Sequence, residues 1–299
     1  AKRLMFNEVG SHKLKSLLLL SAFIILIGLL GATAGLLYGN TYFGLLAAVT
    51  IAAIYSLFAY YSGDKLILST TGAKPVTKQE YPYLYHTIEG LAIAAGIPTP
   101  KAYVIEDSAM NAFATGRDPR NAAITVTSGL LKVTNRQELE GVVAHEMSHV
   151  KNYDIRFMML TVLLVGVVVL LSDFLLRSFL WGGKSGKRKL NQATLVIILF
   201  GLVLAVLAPL IGELIKLAIS RRREYLADAN AAILTRYPPG LASALRKISK
   251  DPDPLVDNAN KATAHLFIST PFRKQHSFLV NLFSTHPQIE ERIRRLEEL

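Results

Sequence analysis

The chain has 299 residues, of which 51% are hydrophobic and only 18% charged, with a mean hydropathy of +0.34 and a formal net charge of +11. A charged share below the usual ~25% excludes a disordered chain and argues against an ordinary cytosolic globule; it points to a membrane protein with a sizeable polar part. The absence of cysteine excludes a disulfide framework, a cysteine-based zinc finger and a cysteine nucleophile, so any metal site has to be built from His, Asp or Glu.

No charge falls between Lys15 and Asp64. A bilayer span takes about 20 apolar residues, so this stretch holds two. They form a hairpin of residues 17–37 and 42–61, with its turn at Tyr38-Gly39-Asn40-Thr41. A cleavable signal peptide is the competing reading of the first segment, but its apolar core is too long and a second span follows at once. Lys2, Arg3, Lys13 and Lys15 flank the hairpin on one side and its turn carries no basic residue. That asymmetry places the N-terminus and the segment 62–156 in the cytoplasm.

Residues 77–95 read as a helix closed by Gly96 and Pro98. β-rich runs follow at 101–106, 110–115 and 122–127, separated by turn residues that include Gly116, Asp118 and Pro119, and they predict a small β-meander. Residues 137–150 are predicted helical. Two further apolar segments come next: 157–172, short for a span, and 190–212, with Pro209 near its end. If both cross, the chain returns inside at Arg221-Arg222-Arg223, as the basic-residue rule asks. Arg177, Lys184, Lys187, Arg188 and Lys189 then face outward against that rule. Either the loop is an exception or the pair enters the membrane without crossing it. The 184–189 basic cluster is expected to meet anionic lipid headgroups, and no aromatic-interleaved basic domain points to nucleic acid. Glu213, at membrane depth, is a functional candidate by default; an i,i+3 pair with Lys216 is the plainer reading. Residues 220–236 continue the fourth apolar helix into water, and 241–249 form another helix. Thr285 with Gln288 makes a capping box for the last one.

The sharpest chemical signal is His145-Glu146-Met147-Ser148-His149. On a helix, positions i and i+4 share a face, so both imidazoles can converge on one metal ion. Glu146 lies beside them as a base for a water whose pKa zinc lowers to about 7. Leu139, Val142, Val143 and Ala144 mark a buried helix, which weighs against two solvated histidines. A catalytic zinc takes a third protein ligand and keeps one position open. Glu224 stands out, with Asp228 one turn later, placed to orient a ligand imidazole. From spacing alone, a solvated face beside the three arginines explains this pair nearly as well. The two segments can share an ion only if an even number of crossings separates them, which puts the site at the membrane surface.

The H-E-M-S-H helix, the R-R-R-E-Y-L-A-D run at 221–228 and the S-T-H-P-Q-I-E-E-R run at 284–292 resemble the HtpX family of bacterial membrane zinc metalloproteases, relatives of the CAAX prenyl endopeptidases. The stretches 111–116 and 127–131 match as well. The resemblance covers nearly the whole chain; before Leu14 the chain is longer than the family pattern and nothing is carried over. The fold it implies is mainly α, with four hydrophobic helices and a cytoplasmic α+β zincin-like (gluzincin) domain. Residues 1–62 would form the flank and hairpin, 63–156 and 220–299 the two parts of the catalytic domain, and 157–219 the second hydrophobic pair. The resemblance implies that His145, His149 and Glu224 bind one Zn2+, that Glu146 is the catalytic base and that Asp228 supports a ligand. Asn111, Ala112, Phe113, Ala114, Thr115 and Gly116 would pair their backbone with an extended substrate. His286 and Arg292 align with residues that hold substrate or oxyanion; a helix-start residue and a surface salt-bridge partner are the plainer alternatives. The implied protein is a multi-pass protease of the bacterial inner membrane, hydrolysing misfolded or damaged membrane proteins under stress, with membrane lipid and protein substrates as partners. Two rivals remain: processing of prenylated or lipidated peptides, against which the four hydrophobic segments speak, and a non-catalytic scaffold with a structural zinc.

Overall fold

The computed structural model describes residues 2–37, 39–181, 201, 221–251, 268 and 287–299. Helices α1 (Lys2–Leu37) and α2 (Thr41–Thr70) form the predicted hairpin. Gly39, at φ 89°, makes the reversal, and the Asn40 side chain caps α2 by accepting from the Phe43 N–H. Small residues let the two backbones touch: a Cβ on Gly44 would come within 2.3 Å of the Gly31 carbonyl oxygen and 2.7 Å of Gly35 Cα. Both helices outrun the predicted spans, α2 continuing through Asp64 and Lys65 to Thr70. Among the described residues, Leu14–Thr33 and Thr41–Thr70 are long and apolar enough to cross a membrane.

After strand β1 (Lys74–Pro75), helix α3 (Pro82–Ala95) ends on Gly96, at φ 69°, as the sequence predicts. It begins later than the predicted 77–95, because Pro82 disfavours helical backbone at the residue before it, and Tyr81 lies outside the helical region at φ −132° and ψ 65°. Strands β2 (Lys101–Ile105), β3 (Ala112–Gly116) and β4 (Ala122–Thr127) coincide with the three β-rich runs to within two residues. Their order is not a meander. The sheet runs β1-β2-β4-β3, with β2 parallel to β4 and β3 antiparallel on its outer side. The 106–111 connection is what carries the chain past β4. The Asp107 carboxylate accepts from the Ala109 N–H, the Asp107 carbonyl accepts from the Gly129 N–H, and any side chain at 129 would sit 2.0 Å from the Ser108 oxygen. This tie folds the loop over the end of β4 and sets β3 beyond it.

Helix α4 (Ser128–Val133) leads to α5 (Arg136–Lys151), the predicted histidine helix, which opens with a reciprocal capping box between Asn135 and Glu138. Helix α6 (Asp154–Trp181) extends the predicted 157–172 segment to 28 residues, about 42 Å. Helices α7 (Arg221–Thr235), α8 (Pro238–Ser249) and α9 (Ile289–Glu297) complete the described elements. The final helix takes Gln288 as its N-cap, without a side-chain cap bond. The predicted 190–212 segment with its proline (Gly201 apart), Glu213 with Lys216, the 184–189 basic cluster, and Thr285 with His286 lie outside the described residues.

Alternation along the strands feeds two apolar layers. Val104, Ala112, Ala114, Ile124 and Val126 face α3 and α5, while Ile105, Phe113 and Ala123 face α2 and α6. α5 is the centre of the first layer. Its Gly141 lies against the Leu241 backbone of α8, and Gly240 lies against the Gln137 carbonyl.

Candidate metal centre

Three chain segments meet around the second half of α5. His145 and His149, one turn apart, bring their Nε2 atoms to 3.3 Å. From α7, Glu224 faces both, its Oε2 3.7 Å from His145 Nε2 and its Oε1 3.6 Å from His149 Nε2. These ligand atoms lie within 4.8 Å of one another, and all three side chains are buried. At 4% exposure Glu224 and Asp228 are not on a solvated face, despite the three arginines preceding them.

Each imidazole is backed on its other nitrogen by a carboxylate. His145 Nδ1 lies 2.9 Å from Asp228 Oδ1, and His149 Nδ1 lies 3.0 Å from Asp154 Oδ2. Protonated on Nδ1, both rings present the Nε2 lone pairs to the same point. Arg292 of α9 holds Asp228 in a fork, donating from Nε to Oδ2 at 2.8 Å and from Nη2 to Oδ1 at 2.7 Å. Its Nη1 lies 3.8 Å from Glu224 Oε2 and donates to the Ile268 carbonyl at 3.3 Å. Arg292 is fully buried, so it is no surface salt-bridge partner.

Asp154 is the residue that sequence reasoning missed. Tyr153, in the left-handed region at φ 63°, reverses the chain between α5 and α6 and delivers the first residue of α6 back onto His149. Arg223, beside Glu224 on α7, brings its Nη1 to 3.6 Å from the other Asp154 oxygen. The one local signal was a carboxylate five residues after the second histidine, at the head of an apolar run.

The electrostatics follow from burial and crowding. Burial pushes the Glu146 carboxyl up, with Glu224 adding to the shift and His145, His149 and Arg292 opposing it. Burial alone would lower His149, but the Asp154 hydrogen bond and the charges of Glu224, Asp154 and Glu146 outweigh it and raise the imidazole to about 9. Burial would raise Asp228, and the Arg292 charge and His145 hold it below the usual carboxylate range instead. The donor set fits a divalent ion: two neutral nitrogens, one carboxylate, and a ring of outer hydrogen bonds already made.

β3 lies at the sheet edge, and its Asn111 neighbour is bound inward, the Thr127 N–H donating to the Asn111 carbonyl. The Ala112 carbonyl turns outward and accepts from the Ile268 N–H at 2.8 Å. Because the Ile268 carbonyl also receives Arg292, this residue links the start of β3 to the metal cluster. Phe113, Ala114, Thr115 and Gly116 continue β3 away from that link.

Comparison with known proteins bears on the chemistry. Residues 78–299 match the model of peptidase family M48. The chain is 46% identical over 291 residues to a protein named Protease HtpX homolog from Dictyoglomus thermophilum, covering 97% of this chain and 93% of that one. It is 44% identical to the protein of that name from Tropheryma whipplei, covering 99% of each. The crystal structure of S. mikatae Ste24p shares the fold, with a TM-score of 0.51 at 22% identity over 98% of this chain and 67% of that one.

Proposed function

The chain belongs to peptidase family M48, in its HtpX group, and from that premise we propose how its residues divide the work of a protease. It is a membrane-associated metalloprotease that hydrolyses peptide bonds. The ion is Zn2+, held by His145, His149 and Glu224, since two imidazoles and a carboxylate with no thiolate form a catalytic zinc set with one open position. When bound, it supplies Lewis acidity toward the scissile carbonyl and the attacking water.

Glu146 takes the proton of that water and passes it to the leaving amine, a role that its raised carboxyl suits. Asp228 and Asp154 fix the tautomers of the two ligand rings. Arg292 holds Asp228, and its Nη1, which faces Glu224, stabilises the oxyanion when substrate replaces Ile268; His286 shares that task. The outward edge of β3, with Asn111 leading into it, takes an extended substrate by strand addition.

The reading extends to the architecture. Four hydrophobic helices carry a zincin-like domain, with residues 1–62 as flank and hairpin, 63–156 and 220–299 as the catalytic parts, and 157–219 as the intervening pair. The protein is multi-pass in a bacterial inner membrane with its site in the cytoplasm, and it removes misfolded or damaged membrane proteins in a stress response. The basic flank of the first span supports that orientation.

The observation that carries the assignment is the convergence of His145, His149 and Glu224 with both outer ring nitrogens already engaged. Glu146→Gln tests it. Cleavage of an unfolded protein should fall by about 10²–10⁴-fold while bound zinc is unchanged. A variant that cleaves at the wild-type rate removes the base assignment.

A further inference from the structure

We propose that the segments loaded onto β3 are those emerging directly from the bilayer, because the far end of this strand is fixed at the lipid headgroup layer. The proposal rests on the strand-addition reading above and names the substrate class that reading takes.

The level of the bilayer can be read from α2. Its outward side is apolar and bare, with Leu46 68%, Ile51 65%, Ile54 63% and Leu57 60% exposed. Exposed aromatics close this face at both ends: Tyr42 and Phe43 at one, Tyr61 at the other. From residue 42 to residue 61 a helix rises about 28 Å, the thickness of a hydrocarbon layer, and aromatic rings at both ends are the mark of the two interfaces. Asp64 and Lys65 follow immediately.

At the Tyr61 end, three separate elements meet in a ring of arginine and tyrosine. The Arg117 guanidinium, from the β3–β4 turn, lies 5.2 Å from the centre of the Tyr61 ring. That of Arg156, from the first turn of α6, lies 5.7 Å from Tyr60 and 5.2 Å from Tyr153. Arg156 Nε donates to the Arg117 carbonyl at 2.6 Å, fastening the turn to the ring. Amphipathic side chains of this kind, at the point where α2 and α6 pass from apolar to polar sequence, belong at headgroup depth.

β3 therefore has one end at each place. Gly116 adjoins Arg117 at the interface, and Ala112 reaches the metal cluster through Ile268 and Arg292. Ala112, Ala114 and Gly116 are the residues that turn their backbone groups outward, since Asn111 bonds inward to Thr127 and the alternation of the strand fixes the rest. Four residue steps cover about 14 Å. A substrate strand replacing Ile268 along this edge runs from the headgroups to the ligands in about five residues. A polypeptide just leaving the bilayer enters the strand's interfacial end, whereas a remote soluble loop has to come down to the surface first.

The test uses the full chain, zinc-loaded, in lipid nanodiscs. One substrate carries a single apolar span followed by a long unstructured tail; the other is the same tail without the span. Cuts mapped by mass spectrometry should cluster within about ten residues of the span, roughly twice the strand's reach. The anchored tail should be cut at least about tenfold faster than the free one, through its higher effective concentration. Cuts spread along the tail, or equal rates for both tails, overturn the proposal and leave the protease reading standing. No cleavage of either tail removes that reading and this inference with it. A second measurement does not depend on activity. In the cysteine-free chain, single cysteines at Leu57, Arg120 and Lys78 carry a nitroxide. The Arg120 label should report headgroup depth, between the acyl depth of 57 and the aqueous 78; a label at 120 as aqueous as that at 78 overturns the proposal.

Discussion

His149 is gripped from both sides, by Glu224 across from Nε2 and by Asp154 behind Nδ1, while His145 has Glu224 and Asp228 in the same places. Removing an outer carboxylate leaves the ligands present but free to rotate or to take the wrong tautomer. Asp154→Asn and Asp228→Asn are each expected to weaken zinc binding by about 10–100-fold with the helical circular dichroism retained. Competition with a chelator of known affinity measures it, and unchanged affinity in Asp154→Asn would show that this carboxylate does not position the ring. These residues were unequally legible. The two histidines and Glu146 were, because one turn of one helix brings them together. Glu224 and Asp228 showed the right spacing, but their burial depends on α5 and α9 packing over them, which no local pattern reveals. Asp154 owes its place to a left-handed Tyr153, and nothing in the residue types around it announces that turn.

At the scale of the element, α5 has to be held still for the ligands to stay in register, and its N-terminal half shows how. The Glu138 carboxylate accepts from the Asn135 N–H at 2.8 Å, from the Ser243 hydroxyl at 2.6 Å and from Lys247 Nζ at 2.7 Å, joining the start of α5 to α8. Burial would raise this carboxyl, but the Lys247 and Ser243 hydrogen bonds hold it low. A depressed carboxylate stabilises the fold above its unfolded pKa, near 4.5, and that contribution disappears as pH falls through the folded value. Glu138→Gln should therefore lower the unfolding temperature at pH 7 and flatten its fall below pH 5; parallel curves for both proteins would contradict this. The same contact makes a steric prediction. A methyl group at Gly141 would meet the Leu241 N at 2.6 Å and Cα at 2.8 Å, so Gly141→Ala should cost about 1–3 kcal/mol in a denaturant titration in detergent micelles. Helices and strands were legible because periodicity and turn residues are local. Strand order was not, since it depends on how the Asp107 loop crosses the end of β4.

Across the whole molecule, the sheet separates two apolar layers. One face packs on the helices that hold the ligands, and the other packs on α2 and α6. The ligand shell draws on both sides: Asp154 opens α6, and Glu224 lies in the first turn of α7. An apolar hairpin, a buried histidine helix and a carboxylate from a distant segment thus form one assembly, in which a single ion would join the histidines to the carboxylate. Metal analysis of the purified full chain and of Glu224→Ala tests this most directly. One zinc per wild-type chain is expected, with loss of both the zinc and the proteolysis in the variant at matched helical content. Retention of zinc with wild-type affinity by Glu224→Ala would contradict it.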